Sequence, residues 1–169
     1  MQLMDLLILY LVIVVVGVYL IIFYEARRKN RLKQLGEKLS QSGIRDIDQM
    51  SGLEFEQYLV ALFRKNGYRV KITSASNDFG ADLVLEGNER IVIQAKRYSG
   101  KVGMKAVQEI SSAKGYYNAQ IAWVITNNYF TSQAIKLAQA NNVKLVDRNM
   151  LIEMILKTNT QKYFESNNI

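Results

Sequence analysis

The sequence predicts an α/β domain preceded by a single apolar helix. Three observations carry this. From Ser51 onward, segments of helical and strand-like patterning succeed one another as helix, three strands, helix, strand, helix, strand, helix. The final part contains a β–α–β unit, whose strands are expected to be parallel with a right-handed crossover. Ahead of all this, Leu6 to Tyr24 runs 19 residues without a charge.

That first run, at ~1.5 Å rise per residue, spans about 28 Å, close to the ~30 Å of a bilayer core. Tyr10, Tyr19 and Tyr24 could anchor it at the interfaces, and a basic cluster follows: Arg27, Arg28, Lys29, Arg31 and Lys33. The start carries Asp5 and no Lys or Arg, which fits a cleaved signal peptide poorly. Residues 1–24 are therefore expected to form one transmembrane helix in the cell membrane, N-terminus outside, with the remainder cytoplasmic. Residues 25–50 read as a basic juxtamembrane linker, 51–157 as the folded domain and 158–169 as a frayed polar tail.

Within the domain, Ser51-Gly-Leu-Glu54 has the form of a capping box. Leu53, Phe55, Leu59, Leu62 and Phe63 then give an apolar face at helical spacing, and Gly67 suits the C′ position. Tyr68–Thr73 reads as a strand and 74–81 as a loop. Asp82–Lys96 reads as a β-hairpin, with strands 82–85 and 90–96 about the turn Glu86-Gly-Asn-Glu89. Lys105–Tyr117 is an expected helix, Ile121–Thr126 a buried strand, Thr131–Asn141 a helix, Lys144–Asp147 a strand and Asn149–Lys157 a helix.

Strand side chains alternate between faces. Gln94 and Lys96 therefore share a face, with the Asp82 carboxylate at the start of the neighbouring strand. Such a trio can hold a hard divalent cation and steady an anion beside it. It is also compatible with an edge hairpin whose polar face is merely solvated.

Composition narrows the chemistry. Lys+Arg is 22 against 15 Asp+Glu, a net charge of +7, which suits an anionic partner, nucleic acid or lipid headgroup. The chain has no Cys and no His. Disulfides, zinc–thiolate sites, Ser-His-Asp hydrolysis and His-based nucleases are thereby excluded. Hydrolysis here must use carboxylates, lysine and an oxygen-seeking metal.

Asp78-Phe-Gly-Ala-Asp82 followed by Gln94-Ala-Lys96-Arg97-Tyr98 resembles the motif of the Mrr-like restriction endonucleases. These form a branch of the PD-(D/E)xK nuclease superfamily with glutamine in place of the acid before the lysine. The resemblance extends over about Ser51 to Leu156. It takes in Gly52-Leu-Glu-Phe-Glu56, Gly67-Tyr68, Val102-Gly103 and Trp123-Val-Ile-Thr-Asn127. It implies a restriction-endonuclease-like core, a mixed central sheet flanked by helices, and Mg2+- or Mn2+-dependent hydrolysis of DNA.

It further implies that Asp82 and Gln94 ligate the metal, assisted by the backbone carbonyl of Ala95, and that Lys96 meets the scissile phosphate. Glu56 matches the family's helical acid, which ligates metal or orients the water; a glutamate near a helix start also suits the macrodipole. Gln108 resembles a recurrent family position and could face the site. Gln94 removes one negative charge from the metal site relative to most of the superfamily. DNA contacts are expected from Arg97, Tyr98, Lys101 and Lys105, next to the motif. The leading expectation is a membrane-anchored DNA endonuclease, in restriction of foreign DNA or DNA processing. The alternatives are a non-catalytic nucleic-acid-binding module and a membrane-tethered assembly subunit. One active site cuts one strand, so double-strand cutting would call for a homodimer or larger oligomer, or for sequential nicks.

Overall fold

The computed structural model describes residues 11–24, 27, 43–73 and 79–166, with side chains through residue 160. The chain divides into two compact units, Met1–Leu39 and Ser40–Ile169.

In the first unit, residues 11–24 are helical. The expected membrane span is corrected here: among the described residues no helix is long and apolar enough to cross a membrane. The described helical stretch covers about 21 Å at ~1.5 Å per residue, short of the ~30 Å core. Residues 6–10 of the predicted span and the basic residues 28–33 lie outside the described residues. The localisation built on that span, a single-pass membrane protein with its N-terminus outside, falls with it.

The second unit is built on a five-stranded sheet in the order β1-β2-β3-β4-β5, with β1 Arg69–Ile72, β2 Leu83–Glu86, β3 Ile91–Lys96, β4 Ile121–Thr126 and β5 Val143–Val146. The helices are α1 Gly52–Lys65, α2 Met104–Tyr116, α3 Ser132–Ala140 and α4 Arg148–Ser166. Strands β1 to β3 pair antiparallel and β3 to β5 pair parallel. This is the mixed sheet flanked by helices that the family resemblance implies, and the β–α–β unit is parallel as the element order predicts.

Strand alternation divides the core into two layers. Leu83, Leu85, Ile91, Ile93, Ala95 and Ile125 pack with Phe55, Leu59 and Phe63 of α1 and Leu151 and Ile155 of α4. Val84, Val92, Ala122 and Val124 face the other way, onto Ala106, Val107 and Ile110 of α2 and Ala134 and Ala138 of α3. Even-numbered positions of β2 and β3 thus look toward α2, which decides where the site lies.

The caps act as the sequence indicates. The Ser51 amide donates to Glu54 Oε2 at 2.7 Å and the Glu54 amide to Ser51 Oγ at 3.2 Å. Gly67, at φ +84°, ends α1 with paired bonds from the Gly67 amide to the Arg64 carbonyl and from the Tyr68 amide to the Phe63 carbonyl.

Three differences have physical reasons. Asp147 belongs not to β5 but to the start of α4, where its Oδ1 accepts from the Met150 amide at 3.0 Å. Helix α4 continues to Ser166, beyond the expected end at Lys157. Its later turns are tied to α1, through Asn66 Nδ2 donating to Thr158 Oγ1 at 2.7 Å and Lys65 to Asn159 at 2.9 Å. Within the expected linker, 43–49 is helical and buries Ile44 and Ile47 in the core.

That short helix also carries a polar anchor. Asp48 takes a two-pronged contact from Arg148, with both N···O distances 2.8 Å, and a further bond from Asn127 Nδ2 at 2.8 Å. The Arg148 hydrogen bond holds the Asp48 carboxyl below its ordinary value; the Asn127 bond and the charges of Arg148 and Arg97 act the same way, against partial burial. A carboxylate depressed in the folded state adds stability above its unfolded pKa and loses it as pH falls through the folded value. Asp48→Asn should therefore destabilise the domain by about 1–2 kcal/mol at neutral pH, given the partial exposure of the pair. Urea midpoints of the two proteins should converge as pH drops below about 4.

Candidate active site

The hairpin sets Leu83 opposite Ile93 and Val84 opposite Val92. One residue further, the same register sets Asp82 opposite Gln94. Asp82 Oδ2 accepts from the Ala95 amide at 2.7 Å, and the Asp82 amide donates to the Ile93 carbonyl at 2.8 Å. The carboxylate is thereby fixed at the mouth of the hairpin.

Gln94 is only 2% exposed. Its Nε2 donates to Glu109 Oε2 at 2.7 Å, while its Oε1 is buried with no hydrogen-bond partner among the described residues. Lys96, two residues on along the same face, has its Nζ 3.7 Å from Glu109 Oε2. Lys105 Nζ lies 3.7 Å from the other oxygen of Glu109. The structure therefore brings Asp82, Gln94, Ala95 and Lys96 together and adds Glu109 from α2.

Glu109 went unnoticed in the sequence, where its neighbour Gln108 was singled out; Gln108 is exposed. Glu56 is half-buried near the start of α1, the helix whose apolar residues cover the opposite face of the sheet. Among the described residues no group of three acidic side chains is placed to hold a metal ion. Asp78 lies outside the described residues.

The loop ahead of β2 is shaped to admit α2. Gly80, at φ +89°, sits so close to Glu109 that a Cβ there would lie 2.7 Å from the Glu109 Cβ. Phe79 packs on Tyr116 of the same helix with ring centroids 4.0 Å apart.

Two depressions flank the end of β3 and share Tyr98. One, of about 140 Å3, is lined by Lys96, Tyr98, Val102, Gly103, Lys105, Ala106 and Glu109. The other, of about 410 Å3, is lined by Asp48, Arg97, Tyr98, Ser99, Asn127, Asn128, Tyr129 and Arg148. It lies at the carboxyl ends of the parallel strands, the usual place for a ligand in an open α/β sheet. Buried Asn127 accepts from the Tyr98 amide at 2.8 Å, and Asn128 Nδ2 donates to the Ser99 carbonyl at 3.0 Å. The loops after β3 and β4 are thus held together. Arg97, Tyr98, Lys101 and Lys105 all reach the surface around these depressions, Lys105 with its side chain 88% exposed.

Residues 47–155 match the family described as Mrr_cat, restriction endonuclease. The chain belongs to that family. It is 27% identical over 141 residues to the type IV methyl-directed restriction enzyme EcoKMrr of Escherichia coli (strain K12), covering 78% of this chain and 46% of that protein. The chain thus spans a little under half the length of this relative. Its fold resembles that of the DNA modification-dependent restriction endonuclease AspBHI, with a TM-score of 0.56, 19% identity and coverage of 73% of this chain and 36% of that one. It also resembles a protein of unknown function, AF1548, with a TM-score of 0.53, 20% identity and coverage of 62% and 65%. These likenesses in the Mrr_cat domain concern the fold of the second unit, and within it the Asp82–Lys96 hairpin is the element that carries the candidate chemistry.

Proposed function

We propose that this Mrr_cat domain is a DNA endonuclease dependent on Mg2+ or Mn2+, of the PD-(D/E)xK type, acting in restriction of foreign DNA. One observation carries the reading: Asp82, Gln94 and Lys96 occupy one face of one hairpin, and the buried amide oxygen of Gln94 lacks a donor among the described residues. An oxygen removed from water without a hydrogen bond costs about 1–3 kcal/mol, and a cation would relieve that cost. The donor set fits a hard cation, being the Asp82 carboxylate, Gln94 Oε1 and the Ala95 carbonyl, all oxygen.

When bound, such an ion lowers the pKa of water and neutralises charge on phosphate. Asp82 and Gln94 hold it at the hairpin mouth. The Lys96 ammonium, tethered by Glu109 but 30% exposed, contacts the scissile phosphate and positions the attacking water. Glu56 enters this reading through the family resemblance alone, as an acid orienting that water. DNA runs across the two depressions, its phosphates meeting Arg97, Lys101 and Lys105 and a sugar or base packing on Tyr98. Cutting both strands takes two copies of the chain or two successive nicks.

The test is nicking of supercoiled plasmid by the full chain with Mg2+ and with EDTA. Nicking that needs the metal supports the reading, and nicking unaffected by EDTA overturns the metal dependence. Independently, replacing Lys101 and Lys105 with Ala should weaken DNA binding with little regard to sequence. The slope of log affinity against log salt should become shallower by roughly 1–2 units. An unchanged slope would place both lysines off the DNA path.

A further inference from the structure

A primary amide has two ends of similar shape and opposite polarity. Buried Gln94 could in principle present either end to Glu109, and only one leaves its oxygen for a cation. Glu109 decides between them. Its ionised carboxylate only accepts hydrogen bonds, and Gln94 Nε2 donates to it at 2.7 Å. The reversed amide would set Oε1 against a carboxylate oxygen and leave a buried N–H unpaired on the other side, which is costly. Glu109 is itself well placed for this. Its backbone abuts Gly80, and its two oxygens lie 3.7 Å from Lys96 and Lys105.

We propose that Glu109 is a positioning residue, fixing the Gln94 amide so that its carbonyl oxygen is presented to a hard divalent cation. This rests on the cation reading of the Asp82–Gln94 face. It also accounts for a neutral glutamine serving where an acid is usual. The missing charge stands one hydrogen bond away on α2, where it polarises the amide and strengthens its oxygen as a donor to metal.

The test is Mn2+ binding to the full chain without DNA, read from the electron paramagnetic resonance of the free ion. The variants are Glu109→Gln, Gln94→Leu, the two combined, and the exchange Gln94→Glu with Glu109→Gln. Glu109→Gln offers Gln94 both a donor and an acceptor, so the amide is free to turn, and affinity should fall about 10–100-fold. Adding Glu109→Gln to Gln94→Leu should cause no further loss, because Glu109 acts through the amide. The exchange restores one charge and one hydrogen bond with reversed polarity, and should recover affinity even if Glu109→Gln alone folds poorly. Unchanged affinity in Glu109→Gln, additive losses in the combined variant, or no recovery in the exchange would each overturn the proposal while leaving the cation site standing. No Mn2+ binding by the unaltered protein would overturn the cation site and the proposal together.

Discussion

Asp82→Asn is expected to reduce metal-dependent nicking to background while leaving the fold intact. The choice of asparagine follows from the bond between the Ala95 amide and Asp82 Oδ2. Alanine would strip that amide of its acceptor and cost about 1–3 kcal/mol, so lost activity could reflect a loosened hairpin. Asparagine keeps an oxygen acceptor and removes the charge that a cation needs. Urea midpoints should therefore order as wild type, then Asp82→Asn close behind, then Asp82→Ala. Cleavage should be lost in both variants. Lys96→Ala should slow cleavage by about 10²–10⁴-fold if the ammonium assists proton transfer. Lys96 is partly exposed and its ion pair with Glu109 is long, at 3.7 Å, so its removal should change stability little. Full activity in Asp82→Asn would exclude Asp82 as a ligand, whereas no nicking by the unaltered protein would favour a domain that binds nucleic acid without cutting it.

Gly80→Ala is expected to be the most damaging small substitution in the domain. Two costs add. The backbone at φ +89° is strained for any residue with a side chain, worth about 1–3 kcal/mol. The new methyl would also lie 2.7 Å from the Glu109 Cβ and 2.9 Å from its backbone carbon, in a helix that cannot yield locally, worth about another 1–3 kcal/mol. Together they predict a loss of about 2–6 kcal/mol in urea unfolding. Gly67→Ala is the control. Gly67 has a similar φ of +84°, but an added Cβ would meet nothing within 4 Å. Only the strain should appear there, and the difference between the two variants measures the close approach of the 79–82 loop to α2. Equal losses at the two positions would mean that α2 moves aside freely.

The placement of the hairpin's polar residues was legible because a strand writes its faces into the sequence at every second residue. Asp82, Gln94 and Lys96 could be placed on one side without any tertiary knowledge. Glu109 could not, because its role arises from contact between α2 and β3. A signal was nonetheless present. Ala106, Val107, Ile110 and Ala113 form the buried stripe of α2. Glu109 stands three residues after Ala106 and four before Ala113, on the border of that stripe, whereas Gln108 is rotated away from it. The helix 43–49 was missed because two isoleucines over seven residues make too short a period to stand out from a polar linker. The N-terminal run misled for the opposite reason. Its uniform hydrophobicity matched the length of a bilayer, whereas among the described residues no helix is long and apolar enough to cross one.

The sheet changes direction at β3, antiparallel to β2 on one side and parallel to β4 on the other. This has a consequence for the order in which the chain can fold. The β2–β3 pair closes over a turn of four residues, 87–90, a local event on a microsecond scale. Parallel pairing of β3 with β4 must wait for the whole crossover through α2, a larger loop with a greater entropic cost of closure. Asp82, Gln94 and Lys96 can therefore come into register on a hairpin emerging early, before α2 with Glu109 is backed by β4. On the role proposed for Glu109, a half-made chain has the Gln94 amide unoriented. On the endonuclease reading proposed above, the candidate site would be complete only when the slow-forming half arrives.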